Sequence, residues 1–212
     1  MTAGEADEPL VIAVPKGRIL EALGPLLDRA GIDSSPLRAT DRRLVRRSAD
    51  GALAWIFLKP DDVPTYVEYG AADLGVSGRD TLLEKKHDLY TPVDLGLGRC
   101  RLVVAAPRGK PLPDVPRIAT KYPRIAAEHF AKRGVQAEVI AVHGSVELAP
   151  LVGLAHAIVD IVETGTTLRE NDLEVLETVA EVSTLLIANR ASYKLRAAAM
   201  RPLVDCLRAA VG

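Results

Sequence analysis

The stretch of this 212-residue chain richest in reactive side chains is Asp160-Ile-Val-Glu-Thr-Gly-Thr-Thr-Leu168. An apolar run from Ala157 to Val162 holds one interior acid, Asp160, and a second acid, Glu163, follows at its end. Then come Thr164, Gly165, Thr166 and Thr167. Gly165 lets the backbone turn tightly and come close to a ligand. Successive N–H groups at the start of a helix collect anions, and three threonine hydroxyls add donors. Such a turn suits a phosphate monoester, and carboxylates beside it suit ribose hydroxyls or a metal-bound pyrophosphate. The plainer alternative is a threonine cluster capping an ordinary strand-to-helix turn. The turn alone does not separate the two. A carboxylate inside an apolar strand leans toward function, because burying it unpaired is costly.

Other clusters carry complementary chemistry. Lys16-Gly17-Arg18 follows the apolar run Leu10 to Val14 and sets two cations around a glycine. Both cations can meet phosphate oxygens, Arg18 in a bidentate way. Arg42, Arg43, Arg46 and Arg47 form a basic group in a loop or hairpin, which is also what a solvated face looks like. Gly70 to Gly78 brackets a short strand with three glycines and contains Asp73; GxGxxG is absent, and tight packing explains the glycines equally well. His143-Gly-Ser-Val-Glu147 joins a strand to a helix through Gly144, with Ser145 as the expected cap. Cys100 lies between Arg99 and Arg101 and reads as a packing residue.

The elements that must position these groups alternate. Leu10–Val14, Leu53–Leu58, Asp73–Val76, Leu102–Ala106, Arg117–Thr120, Val135–Val142 and Ala157–Val162 read as strands, and Leu173–Asn189 as one or two more. Ile19 to Ala30, Pro123 to Arg133, Ser145 to about Val152 and Ser192 to Val211 read as helices. Strands alternating with helices imply an α/β fold with mostly parallel sheets covered on both faces. The Pro-rich stretch Pro107 to Pro116 suggests a break between two lobes. Ligands in such folds sit at the carboxyl ends of strands or between lobes.

Composition narrows the function classes. Lys and Arg number 27 against 28 Asp and Glu, a net charge of −1, which argues against a general nucleic-acid binder. Two cysteines without CxxC spacing, and four scattered histidines, point to no disulfide scaffold and no metal cage. No apolar run is long enough to span a bilayer. The first eight residues are acidic and apolar-poor, which reads as a disordered tail rather than an export signal, so the expected location is the cytoplasm.

Several segments together resemble ATP phosphoribosyltransferases. They are Pro15 to Arg18, Asp62 to Gly78, Leu95 to Cys100, His143 to Pro150, Asp160 to Asn171 and Ser183 to Arg190, in one order over about residues 9 to 195. The resemblance implies a two-lobed fold similar to the type II periplasmic binding proteins with an interlobe cleft. Residues 9–101 with 184–212 would form one lobe and 102–183 the other. It implies transfer of phosphoribosyl from phosphoribosyl pyrophosphate to N1 of ATP, the first step of histidine biosynthesis. The chain ends where the short form of the family ends, which implies a separate regulatory subunit similar to histidyl-tRNA synthetase. Magnesium is expected on the substrates rather than in a protein cage.

By the same resemblance Asp160 and Glu163 take the ribose hydroxyls, and Thr164, Gly165, Thr166 and Thr167 grip the 5′-phosphate. Lys16, Gly17 and Arg18 meet pyrophosphate or ATP phosphates. Arg42 and Arg43 are expected to reach the leaving group, and Asp73 and Glu147 to contact adenosine or the metal shell. Arg18, Asp160 and Arg42 are the expected catalytic residues. The chain departs from the family at His156, where an acid is common, and at Glu163, where serine is common. Three rivals remain: an exported two-lobed solute receptor, a phosphoribosyltransferase of another fold, and a non-catalytic regulatory paralogue.

Overall fold

The computed structural model describes residues 8–212. The expected tail therefore lies outside the described residues except for Glu8, which is exposed. The chain forms two compact units: residues up to Gly98 together with Ser183–Gly212, and Arg99–Val182.

The first unit opens with strand β1 (Leu10–Pro15), helix α1 (Arg18–Arg29), a short helix α2 (Ser35–Arg38), and strands β2 (Val45–Arg47) and β3 (Leu53–Leu58). Helix α3 (Val63–Glu68), strand β4 (Leu74–Gly78), helix α4 (Arg79–Lys85) and strand β5 (Tyr90–Asp94) follow. The second unit holds β6 (Cys100–Pro107), β7 (Arg117–Thr120), α5 (Pro123–Lys132), β8 (Glu138–Ala141), α6 (Leu148–Leu151), β9 (Ala157–Val162), α7 (Thr166–Glu170) and β10 (Leu173–Val182). The chain then returns to the first unit as β11 (Thr184–Ala188), α8 (Arg190–Leu195) and α9 (Ala197–Val211).

The first sheet runs β2-β3-β1-β4-β11-β5 and the second β10-β6-β9-β7-β8. The class is α/β, but the sheets are mixed rather than mostly parallel. β1 runs parallel to β3 and β4, and β7 to β8 and β9. The other five ladders are antiparallel. The reason lies in the connections. β2 folds back on β3 as a hairpin, while β10 and β11 join their sheets as the chain turns back and so oppose their neighbours.

Burial explains which strands were legible. β1 is apolar and buried along nearly its whole length, packed between α1 and α9 on one face and α3 on the other. Gly75 on β4 faces α3 so closely that an added Cβ would stand 2.6 Å from Val67 Cγ2. That is a packing role, as one reading of the glycine-rich segment had it. In the second sheet, alternate residues of β9 serve two cores. Ala157, Val159 and Ile161 face α5, whereas Ile158 and Val162 pack with Val146, Ala149 and Leu168.

Two helix expectations need correction, and one strand expectation is made definite. Ser145 does not cap a helix: it has φ 46°, and α6 starts only after Glu147. The span Ser192–Val211 is two helices broken at Arg196, whose φ −106° and ψ 27° leave the helical region. The strand span Leu173–Asn189 is two strands in different sheets.

Candidate active site

Asp160 lies on the β9 face that carries Ile158 and Val162, beneath Val146 and Leu168. It is half-buried. Its Oδ1 accepts the N–H of Ile161 at 2.8 Å. Burial pushes its carboxyl up to about 6; the Glu147 carboxylate adds to the rise, while the Ile161 N–H and the Lys121 charge oppose it. A carboxyl raised by desolvation beside a like charge and a cation is a mark of functional sites. So the structure brings Glu147 and Lys121 within electrostatic reach of Asp160.

Those groups share one edge of the second sheet. β7, β8 and β9 are parallel, so Lys121, the segment His143 to Glu147, and Glu163 to Thr167 all follow strand carboxyl ends. This is where ligands bind in α/β folds. Gly165 has φ 73° and ψ 10°, a left-handed conformation that residues with a Cβ adopt at a cost. Thr164 Oγ1 and Thr166 Oγ1 stand 3.1 Å apart, and the Thr166 N–H donates to Thr164 Oγ1 at 3.4 Å. Thr164, Thr166 and Thr167 are exposed. α7 has only five residues, so its axial dipole is small and the turn needs side-chain charge to favour an anion. Arg169 lies over it, donating to the Thr164 carbonyl at 3.0 Å and to Thr166 Oγ1 at 3.1 Å.

The first unit gathers the cations at the matching edge of its own sheet. β1 ends at Pro15; Lys16 N–H then donates to the Leu58 carbonyl at 2.9 Å, and Gly17 precedes α1 with φ 95°. Lys16, Gly17 and Arg18 are exposed. Because β2 runs against β3, its start meets the end of β3: Phe57 N–H donates to the Leu44 carbonyl at 2.9 Å. The exposed Arg42 and Arg43 just before it thus reach the edge that carries Lys16 and Arg18, about two strand spacings or roughly 10 Å away. Arg46 holds that loop. Its guanidinium lies 4.7 Å above the Phe57 ring and donates to the carbonyls of Pro36 and Asp41 at 2.7 and 2.8 Å.

Asp73 is not brought to that edge. It lies at the opposite end of the first sheet, buried, where its Oδ2 accepts from Val11 N–H at 2.9 Å and from Arg196 Nη1 at 2.7 Å. Its carboxylate ties β1, β4 and the α8–α9 junction together. His156 also sits away from the threonine turn. It precedes β9, where Nδ1 accepts the Arg117 N–H at 2.9 Å and its own N–H donates to the Arg117 carbonyl at 2.8 Å. His156 is therefore a fixture at the start of β9. Among the described residues, no three His, Cys, Asp or Glu side chains are grouped to hold a metal, and no helix is long and apolar enough to cross a membrane.

Reading the residues alone missed Lys121 and Arg169. Each had a signal. Lys121 follows its strand directly, as Lys16 follows β1, and Arg169 stands four residues after Gly165, one helical turn along.

The ATP phosphoribosyltransferase (HisG) family model matches residues 59–209. An ATP phosphoribosyltransferase of Sorangium cellulosum is 76% identical over 203 residues, covering 96% of both chains. One from Anaeromyxobacter sp. strain K is 49% identical over 209 residues, covering 97% of this chain and 95% of that one. Among solved structures, the ATP phosphoribosyl transferase (HisG:HisZ) complex of Thermotoga maritima superposes with TM-score 0.83 at 35% identity, covering 95% of this chain and 98% of that one. The substrate-binding protein of an amino acid ABC transporter matches at TM-score 0.57 and 13% identity, covering 95% and 91%, and shares the fold alone. With the family matched over most of its length and a relative at 76% identity, the chain belongs to the HisG family of ATP phosphoribosyltransferases.

Proposed function

We propose that this chain performs the family's reaction, the first step of histidine biosynthesis, with its labour divided between the two strand edges. N1 of ATP displaces pyrophosphate from C1 of phosphoribosyl pyrophosphate, through a transition state with oxocarbenium character as in other glycosyl transfers. No protein nucleophile takes part. Catalysis rests on positioning and on stabilising charge as it moves to the leaving group.

Asp160 and Glu163 take the ribose hydroxyls, and residues 164–167 hold the 5′-phosphate. Lys16, Gly17 and Arg18, with Arg42 and Arg43, serve the pyrophosphate and ATP phosphates. Glu147 lies near Asp160 in charge and serves the same substrate's metal shell. Magnesium enters as part of the pyrophosphate substrate, held by its oxygens. The position of Asp73 supports a structural role instead of an adenosine contact. The observation that carries this reading is the half-buried Asp160 beside an open, hydroxyl-lined turn at one strand edge.

The Thermotoga maritima structure pairs its chain with HisZ, and this supports a regulatory partner for the present chain too. We place the assembly in the cytoplasm. The decisive experiment is an ultraviolet assay for phosphoribosyl-ATP with magnesium, with and without such a partner. Product formation is expected; none in either condition overturns the proposal.

A further inference from the structure

The threonine turn lacks charge of its own, and the sheet edge beside it carries acids. Asp160, Glu147 and Glu163 would all repel a phosphate dianion. Lys121 is drawn to Asp160 electrostatically and follows the neighbouring strand β7. The cation in contact with the turn is Arg169. It is exposed, and both hydrogen bonds of its guanidinium go to the turn, neither to a carboxylate. Its contacts are the Thr164 carbonyl and Thr166 Oγ1, at 3.0 and 3.1 Å, both on the turn itself. A surface arginine is usually free to roam or is paired with an acid. This one is docked on the residues expected to hold an anion.

The hydrogen bonds set a direction. A guanidinium has five N–H donors and no acceptor, so Thr166 Oγ1 must accept from Arg169. Thr164 Oγ1 and Thr166 Oγ1 share one proton between them across 3.1 Å. Whichever of the two donates in that bond, the other keeps its own hydroxyl proton unspent. The Thr164–Thr166 pair thus holds one hydroxyl proton, and Arg169 its remaining guanidinium donors, for an incoming ligand. Gly165 is part of the arrangement, since a Cβ there would stand 3.3 Å from Arg169 Nη1. We propose that Arg169 is a substrate-binding residue that supplies the positive charge and the hydroxyl orientation for a phosphate monoester on the Thr164–Thr167 turn. This rests on the reading that the turn takes the 5′-phosphate of phosphoribosyl pyrophosphate.

Two measurements on the full chain test it, with the regulatory partner present where turnover needs it. The first compares Arg169→Ala and Arg169→Lys with the unaltered chain in steady-state kinetics. Loss of a charge-assisted contact to phosphate should raise KM for phosphoribosyl pyrophosphate by about tenfold or more in the alanine variant, with KM for ATP nearly unchanged. The lysine variant, which keeps the charge but not the fork, should fall between. The second titrates ribose 5-phosphate, and ribose as control, by calorimetry at two salt concentrations. Binding of ribose 5-phosphate should weaken in Arg169→Ala and lose part of its salt dependence, a change that a merely structural role would not produce.

Product formed by the unaltered chain, with KM for phosphoribosyl pyrophosphate unmoved in both variants, overturns the role of Arg169 and leaves the reaction standing. No product from the unaltered chain overturns the reaction, and ribose 5-phosphate binding then decides Arg169 by itself. If Arg169→Ala does not fold, Arg169→Lys with unchanged affinity for ribose 5-phosphate and an unchanged salt slope overturns the fork-based contact.

Discussion

At the scale of single residues, Asp160 sets stability against chemistry. Its carboxyl is raised from 3.8 to about 6, chiefly by burial. For an acid raised in the fold, the stability it contributes is full below 3.8 and is lost as pH rises through about 6. At neutral pH the ionised group therefore costs up to about 3 kcal/mol, since a tenfold change in proton affinity is worth about 1.4 kcal/mol. Asp160→Asn should recover part of that, because the amide oxygen can still accept the Ile161 N–H. Urea denaturation at about pH 7.5 should show the variant equal to or more stable than the unaltered chain, while its turnover falls by about a hundredfold or more. A variant that is both less stable and fully active would break the link. The same titration predicts an acid limb: kcat/KM for phosphoribosyl pyrophosphate should fall as pH drops through about 6, where Asp160 takes up its proton. Arg18→Ala, by contrast, should lower turnover by about tenfold or more without moving that limb.

At the scale of elements, loops carry the proposed contacts and their neighbours hold the loops still. Gly165 is left-handed, and its neighbours leave little room for a Cβ. Gly165→Ala should therefore strain the turn by roughly 1 kcal/mol and displace Arg169, raising KM for phosphoribosyl pyrophosphate more than KM for ATP. On the first unit, Arg46 does for the Arg42–Arg43 loop what Arg169 does for the threonine turn. It stacks on Phe57 and holds the Asp41 carbonyl. Arg46→Lys keeps the charge but loses the planar fork, so it should lower turnover by several-fold while leaving KM for phosphoribosyl pyrophosphate nearly unchanged. Equal effects on every kinetic constant would indicate general unfolding of the loop.

The same elements explain what could be read from residue order alone. β1 and β9 were legible because both faces are buried, which demands near-continuous apolar runs such as Leu10–Val14 and Ala157–Val159. β2 and β5 were not. They are edge strands, and their exposed residues, such as Arg47 and Thr91, carry no apolar signal. The α6 start was misread because Ser145 looks like a cap, yet its left-handed backbone makes it a turn residue. In the candidate site, a pattern of acids and hydroxyls pointed to Asp160 and Thr164–Thr167. Arg169 was missed because its significance depends on a side chain folding back along a helix, and the tie between Asp73 and Arg196 is not legible because 123 residues separate them.

At the scale of the whole molecule, the first unit is built from two distant pieces of chain. β11 enters between β4 and β5, so the sheet is incomplete until residues 184–188 arrive. Met200, Val204 and Leu207 of α9 pack that returning piece against β1 and α1. Arg196 adds polar contacts. Its guanidinium donates to Asp73 Oδ2 at 2.7 Å, to the Pro9 carbonyl at 3.3 Å and to the Glu8 carbonyl. Asp73 in turn receives the Val11 N–H and sits 7% exposed. Removing one partner of such a pair leaves a nearly buried charge with only a neutral donor. Because Arg196 itself is about a quarter exposed, the cost should fall below that of a fully buried pair. Arg196→Ala should lower stability to urea by about 1–3 kcal/mol, and Asp73→Asn by less, since an amide can still accept from Val11. Neither should change KM for ATP by more than about twofold, because both lie at the sheet edge away from Lys16 and Arg18. A large rise in KM for ATP with stability intact would return Asp73 to the nucleotide site and remove it from the clamp.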